Sequence, residues 1–319
     1  METATHHHVE ALARLKANLE SCILGKSSEI ELLLTAMLAG GHVLLEDVPG
    51  TGKTVLIKAL ARSIDGQFRR IQCNPDLLPS DITGVSIYHP KEEKFLFRSG
   101  PIMTNILLVD EINRATTKTQ SALLEAMEEQ HITVDGDIHE LPSPFMMLAT
   151  QNPIDFEGTY ILPEAQLDRF MMKLSLGYPS EAAEKQMITS QSKVHPMEAL
   201  QAIMDTSQLL AIQEQVRHVH LDEAVANYLV TITRKTREHQ AIFLGASPRA
   251  TLSLVLASKS FAFLHGRDYV IPDDIKYLAP YVLGHRMILH SEARMDGATV
   301  SSVLGAIFEQ VRVPVRLEK

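Results

Sequence analysis

Apolar residues recur at helical spacing through residues 9–39, interrupted only by the turn-like Gly25-Lys26-Ser27. From residue 40 the pattern changes to five short apolar runs, at 42–46, 68–73, 106–109, 145–150 and 170–176. Such runs, with little polar alternation, suit strands buried on both faces of a sheet. Helix-period segments separate most of them, for example 54–64 and 118–130. Alternation of this kind predicts an α/β fold: a parallel sheet covered by helices in three layers.

Two stretches depart from that rhythm. Residues 76–101 carry Pro79, Gly84, Pro90 and Gly100 with an alternating piece around 94–98, and read as a hairpin or loop inserted on the sheet. Residues 131–141 form two short runs around Asp135-Gly136, a pair favoured in tight hairpin turns. After residue 176, Gly177-Tyr178-Pro179-Ser180 reads as a linker. Beyond it the spacing is helical with no strong strand candidate. Ser180 and Asp222 stand as helix N-caps, and Pro272-Asp273-Asp274 opens a third helix. The chain therefore divides into an α/β core over 1–178 and an all-helical domain over 179–319.

Composition narrows the class. A length of 319 residues suits two domains, and 45% hydrophobic with 22% charged residues is ordinary for a soluble protein. No apolar run approaches the ~20 residues that span a bilayer and no secretory pattern opens the chain, so membrane insertion is not expected and a cytoplasmic location is. The net charge of −9 argues against nucleic acid as the main partner. Cys22 and Cys73 lack any ligand spacing and read as buried structural thiols. His6, His7 and His8 read as a polar leader rather than a metal site.

The chemistry concentrates at the ends of the apolar runs. Asp47-Val48-Pro49-Gly50-Thr51-Gly52-Lys53-Thr54, followed by Val55, lies between a predicted strand and a predicted helix. In that context a glycine-rich turn presents successive backbone N–H groups, and the helix start adds partial positive charge, so the segment can cradle phosphate. Lys53 would reach the β- and γ-phosphates and the Thr54 hydroxyl would ligate Mg²⁺. Asp47 departs from the general pattern, which has glycine there; aspartate tolerates unusual backbone angles. The run 106–109 ends in Asp110 and Glu111, which places two carboxylates at the edge where open α/β sheets bind ligands. Asp110 would hold Mg²⁺ through water, and Glu111 would act as general base on the attacking water. Asn152, ending another run, can orient that water. Arg169, before the last run, can serve a neighbouring subunit as an arginine finger. Arg249 follows Ser247-Pro248 at a helix start, where the dipole disfavours a cation unless an anion is near. It would couple nucleotide state to the orientation of the helical domain.

Several blocks together resemble the MoxR family of AAA+ ATPases. They are Asn105-Ile-Leu-Leu-Val-Asp-Glu-Ile-Asn-Arg-Ala115, Lys118-Thr-Gln-Ser-Ala-Leu-Leu-Glu-Ala-Met-Glu-Glu129, Ala149-Thr-Gln-Asn-Pro-Ile154, Glu157-Gly-Thr-Tyr160, Leu162-Pro-Glu-Ala-Gln-Leu-Asp-Arg-Phe170 and Gly245-Ala-Ser-Pro-Arg-Ala250. They run in family order across residues 40–290. The resemblance implies a P-loop core with sheet order 5-1-4-3-2 and a C-terminal helical lid. It implies ATP and Mg²⁺ as cofactors, a homo-hexameric ring with ATP between subunits, and chaperone-like remodelling of protein clients. Proteins with a von Willebrand A domain are partners it suggests. By the same resemblance the insert near 76–101 is the helix-2 insert, the hairpin near 131–141 is the pre-sensor-1 insert, Asn152 is sensor 1 and Arg169 the finger. Arg114 lies beside the site and could also act across the interface. An ATPase subunit of a metal chelatase is the nearest alternative, with a nucleic-acid motor further off. A sigma-54 activator would need a Gly-Ala-Phe-Thr-Gly-Ala loop, which residues 76–101 lack. A purely structural nucleotide switch would not need both Glu111 and Arg169.

Overall fold

The computed structural model describes residues 2–47, 50–152, 159–190, 197 and 200–314. Five strands, β1 (Val43–Glu46), β2 (Phe68–Gln72), β5 (Ile106–Asp110), β8 (Met146–Gln151) and β9 (Met172–Leu174), form one sheet in the order β2-β5-β8-β1-β9. All four pairings are parallel. Counted among sheet strands alone, this is the expected order 5-1-4-3-2.

Alternation along the strands sorts side chains into the two outer layers. Val43, Leu45, Leu108 and Leu148 join a core with the helices Glu2–Cys22, Ser27–Leu38 and Lys53–Ser63. Leu44, Leu107, Val109 and Met147 join a second core with Leu123 and Leu124 of the helix Thr117–Glu129. β5 is buried throughout, as an unalternating run should be. β2 is not: Arg69, Arg70 and Gln72 are exposed. It is an edge strand, so one rim faces solvent and tolerates charge.

His42 ties the sheet to the Thr117–Glu129 helix. Its ring bonds the carbonyl of Met127 through Nε2 at 3.1 Å and accepts the amide of Met147 at Nδ1 at 3.0 Å. The two bonds need the neutral Nε2–H tautomer. Burial pushes the imidazole pKa down to about 4.

Both stretches that depart from the strand–helix rhythm contain a hairpin. A short helix, Pro79–Thr83, leads into β3 (Gly84–His89) and β4 (Lys94–Ser99). Glycine is required at Gly84 and Gly100, where a Cβ would lie 2.3 Å from the carbonyl oxygen of Arg98 and 2.1 Å from that of Ile82. β6 (His131–Val134) and β7 (Asp137–Glu140) turn through Asp135 and Gly136, both at positive φ, as a two-residue hairpin turn demands. The hairpins meet where Phe97 stacks on His139, ring centroids 3.8 Å apart.

Beyond residue 180 the chain is mostly helical, and the predicted caps are made. Ser180 Oγ accepts the amide of Ala183, Asp222 that of Ala224, and Asp274 that of Ile271. One feature was not expected: β10 (Ile242–Leu244) pairs antiparallel with β11 (Ile288–Leu289). Strands of three and two residues are too short to leave a period in the sequence. Cysteine needs one correction, since Cys73 is buried but Cys22 is only half-buried. His7 and His8 lie in the Glu2–Cys22 helix, and His8 Nδ1 is 2.9 Å from Oε1 of Gln215.

Candidate nucleotide site

The parallel sheet brings the ends of β1, β5 and β8 to one edge, and a cleft there is lined by Gly50, Lys53, Thr54, Asp110, Glu111 and Asn152 among others. The sequence motifs therefore converge, although they are up to a hundred residues apart in the chain. Val48 and Pro49 lie outside the described residues. Gly50 and Gly52 sit at φ 88° and 87°, which residues with a side chain rarely adopt. Gly52 caps the helix Lys53–Ser63, so the helix's first free N–H groups face the cleft. Val55 packs on the large core and anchors that helix. Lys53 Nζ lies 3.4 Å from the carbonyl oxygen of Asp47. Burial lowers the Lys53 pKa, against an opposing pull from Asp47, Asp110 and Glu111.

Asp47 shows why this loop can dispense with its first glycine. It is not among the positive-φ residues, so backbone tolerance is not the reason. Its buried carboxylate instead accepts the Ser175 hydroxyl at 2.9 Å and the amides of Leu176 and Gly177 at 2.5 and 2.9 Å. The loop is thereby stapled to the segment that leaves β9.

Thr150 was not singled out from the sequence, yet it holds both the Asp110 carboxylate and the backbone of Glu111. Its hydroxyl donates to Asp110 Oδ1 at 3.2 Å and accepts the Glu111 amide at 2.9 Å. Glu111 sits at φ 56°, a left-handed backbone uncommon outside glycine and concentrated at functional sites. Its carboxylate pairs with Arg114 at 3.2 Å in the same subunit. Asp110 also receives Arg70 Nε at 2.5 Å, and Arg70 bonds Gln72 beside it. The charged break in the apolar run 68–73 was the available signal for Arg70. Cys73, next along, has its thiol pKa pushed up to about 12 by burial, then by Asp110 and Glu111. It stays an inert thiol.

Asn152 reaches the cleft; Arg169 and Arg249 do not line it. Arg169 pairs with Glu128 Oε2 at 2.9 Å, and Arg249 pairs with Oε1 of the same Glu128. The helix start at Arg249 is as expected, with Ser247 Oγ accepting the Ala250 amide at 3.1 Å. The anion its position calls for is Glu128. Asp168 joins the lid to the core: it accepts Ser247 Oγ at 3.0 and 2.8 Å and Arg286 Nε at 2.7 Å.

Residues 42–172 match the family described as ATPase family associated with various cellular activities (AAA), and residues 234–307 match the AAA lid domain. Chaperone MoxR1 of Mycobacterium tuberculosis is 42% identical over 96% of this chain and 83% of its own. The uncharacterised protein YeaC of Bacillus subtilis is 51% identical over 96% and 95%. A crystal structure from Cytophaga hutchinsonii, provisionally described as an ATPase, matches with TM-score 0.91 and 36% identity over 98% of each chain. The phosphate loop, the paired carboxylates and the lid thus define an AAA ATPase of P-loop type. Within that class, the chain belongs to the MoxR family of AAA+ ATPases.

Proposed function

We propose that this protein hydrolyses ATP with Mg²⁺ as a homo-hexameric ring and uses the cycle to remodel protein clients. The observation that carries this reading is the Thr150 hydroxyl, which fixes Asp110 and Glu111 at the strand edge facing Lys53 and the Lys53–Ser63 helix start. A structural nucleotide site needs no such arrangement of a second carboxylate. Thr54 and Asp110 offer the hard oxygen donors that Mg²⁺ prefers, with phosphate and water completing the shell. Among the described residues no cluster of three or more His, Cys, Asp or Glu could hold a metal by itself, which suits an ion bound together with nucleotide. When bound, Mg²⁺ would neutralise charge on the β- and γ-phosphates.

The chain's own groups do the rest. Lys53 and the helix N–H groups bind the phosphates, Asn152 orients the attacking water, and Glu111 accepts its proton. Arg169 serves the next subunit's nucleotide. Residues 1–178 are the nucleotide-binding core and 179–319 the lid, whose tilt is transmitted through Asp168. Among the described residues no helix is long and apolar enough to cross a membrane. We place the protein in the cytoplasm, with a client of von Willebrand A type as the preferred partner and nucleic acid disfavoured by the acidic charge. The chaperone designation of the M. tuberculosis relative supports client remodelling over a chelatase role.

The test is Mg²⁺-ATP turnover per subunit against protein concentration, with sizing of the same samples. Turnover should climb as rings form, and Arg169→Ala should keep nucleotide binding while losing on the order of 10³-fold or more of the rate. Normal turnover by Arg169→Ala would exclude a site shared through that residue.

A further inference from the structure

β2 and β5 run parallel in register, with Gln72 beside Asp110 and Arg70 beside Leu108. Residues two apart on a strand share a face, so Arg70 and Gln72 point to the same side, and both line the nucleotide cleft. A long side chain two positions back can reach forward to the strand ends, and that of Arg70 does. Its Nε donates to Asp110 Oδ2 at 2.5 Å, and its Nη2 donates to Gln72 Oε1 at 3.0 Å.

An arginine on an edge strand is usually a solvated charge whose ion pairs contribute little. Two observations set Arg70 apart. Its partner is no surface acid: the Asp110 side chain is only 10% exposed, against 48% for that of Arg70. Asp110 is also the carboxylate proposed above for Mg²⁺, and its other oxygen already accepts the Thr150 hydroxyl. A guanidinium at hydrogen-bonding distance offsets the negative charge that a cation needs, and it repels a divalent ion at the same carboxylate.

We infer that Arg70 is a positioning residue that competes with Mg²⁺ for Asp110, so that the metal binds tightly there only when nucleotide phosphates draw the guanidinium away. This role presupposes the Mg²⁺-ATP reading above, though not the ring. The two partners differ in freedom. Asp110 is held by Thr150 and by its place on β5, between β2 and β8, whereas Arg70 is half-exposed on a flexible stem. Phosphates bound by Lys53 and the helix start would offer Arg70 more charge than one carboxylate, and several oxygens that match its planar fork. Asp110 would then be released to the water shell of the ion. Gln72 is a neutral acceptor, so it steers the guanidinium without a charge that would hold it back.

Mn²⁺ shares the oxygen preference and octahedral geometry of Mg²⁺, and its paramagnetic resonance signal separates free from bound ion. The whole chain is titrated with Mn²⁺ alone, then with a non-hydrolysable ATP analogue present. Without nucleotide, Arg70→Gln should bind Mn²⁺ about tenfold more tightly than wild type, the equivalent of one hydrogen bond between charged groups. In an Asp110→Asn background the same substitution should make almost no difference, since Arg70 acts through that carboxylate. With the analogue bound, wild type and Arg70→Gln should hold Mn²⁺ nearly alike. Equal affinity of Arg70→Gln and wild type for Mn²⁺ alone overturns the inference, as does a gain that survives in the Asp110→Asn background. Should Arg70→Gln fail to fold, Arg70→Lys keeps the charge but not the fork, and should still tighten Mn²⁺ several-fold; no change overturns the inference equally. Asp110→Asn that holds Mn²⁺ with the analogue as tightly as wild type would sink the metal reading of Asp110 itself. An Asp110-dependent metal with no gain in Arg70→Gln sinks this inference alone.

Discussion

The carboxylate of Asp47 meets the backbone amide of Leu176 at 2.5 Å, so the glycine-rich loop is fastened to the segment that leads from β9 out toward the lid. In the general phosphate-loop pattern this position is glycine and makes no such link. A loop anchored in this way cannot shift on nucleotide binding without pulling residues 175–177, and through them the start of the helix Glu181–Ser190.

The first prediction follows from that staple. Asp47→Asn keeps the shape but loses the charge on an acceptor of three hydrogen bonds, and should cost about 1–3 kcal/mol of stability. Asp47→Gly, which restores the general pattern, should lose the staple entirely yet still bind nucleotide. Denaturant unfolding and ATP titration of both variants check this. An Asp47→Gly protein as stable as wild type would show that the contact carries no stability.

Thr150→Val removes one hydroxyl that serves the Asp110 carboxylate and the Glu111 backbone amide, and leaves the volume nearly unchanged. We predict that ATP affinity holds within a few-fold while turnover falls on the order of 10²-fold, because Glu111 loses the partner that fixes its backbone. A loss of affinity without a loss of kcat would place Thr150 in binding rather than in chemistry.

Asp168→Ala should release Ser247 and leave the buried Arg286 uncompensated. Breaking a buried pair from one side costs about 3–5 kcal/mol, so a lower melting temperature is expected. Hydrogen exchange should show the loss concentrated where the helix Pro248–Leu264 meets the core.

Acid stability gives a fourth prediction. His42 is held neutral, with its folded pKa lowered from about 6.5 to about 4. The unfolded chain therefore takes up a proton that the folded chain refuses between those values. Stability should be full above about pH 6.5 and fall toward pH 4, by up to about 1.4 kcal/mol per pH unit per such group. His285, lowered to about 3 by burial and then Arg286, adds to the slope and extends it. His42→Gln should flatten the dependence when unfolding is followed from pH 7 to 4. An unchanged slope would mean that His42 is not the group refusing the proton.

Much of the site was legible because its elements sit at the ends of strands, where short motifs and apolar runs coincide. The five runs gave the sheet, and Gly52-Lys53-Thr54 and Asp110-Glu111 pointed to residues that do meet at one cleft. What stayed hidden depends on distance in sequence. Thr150 looks like any β-branched residue at a strand end until β8 is laid beside β5. Asp168 and Glu128 look like surface acids on helices until the lid is placed. β2 was misjudged as doubly buried although Arg69 and Arg70 interrupt its apolar run, a sign that it lies at the sheet edge. The pairing of Arg249 with Glu128 answers a question the sequence raised, namely which anion justifies a cation at that helix start.

The central claim is that Glu111 turns a phosphate-binding cleft into a hydrolytic one. Glu111→Gln and wild-type protein, each incubated with Mg²⁺ and ATP, desalted and analysed for bound nucleotide, test it most directly. The account predicts ATP on the variant and ADP on the wild type, with Lys53→Ala carrying neither. ADP on the Glu111→Gln protein in the same amount as on the wild type would contradict it.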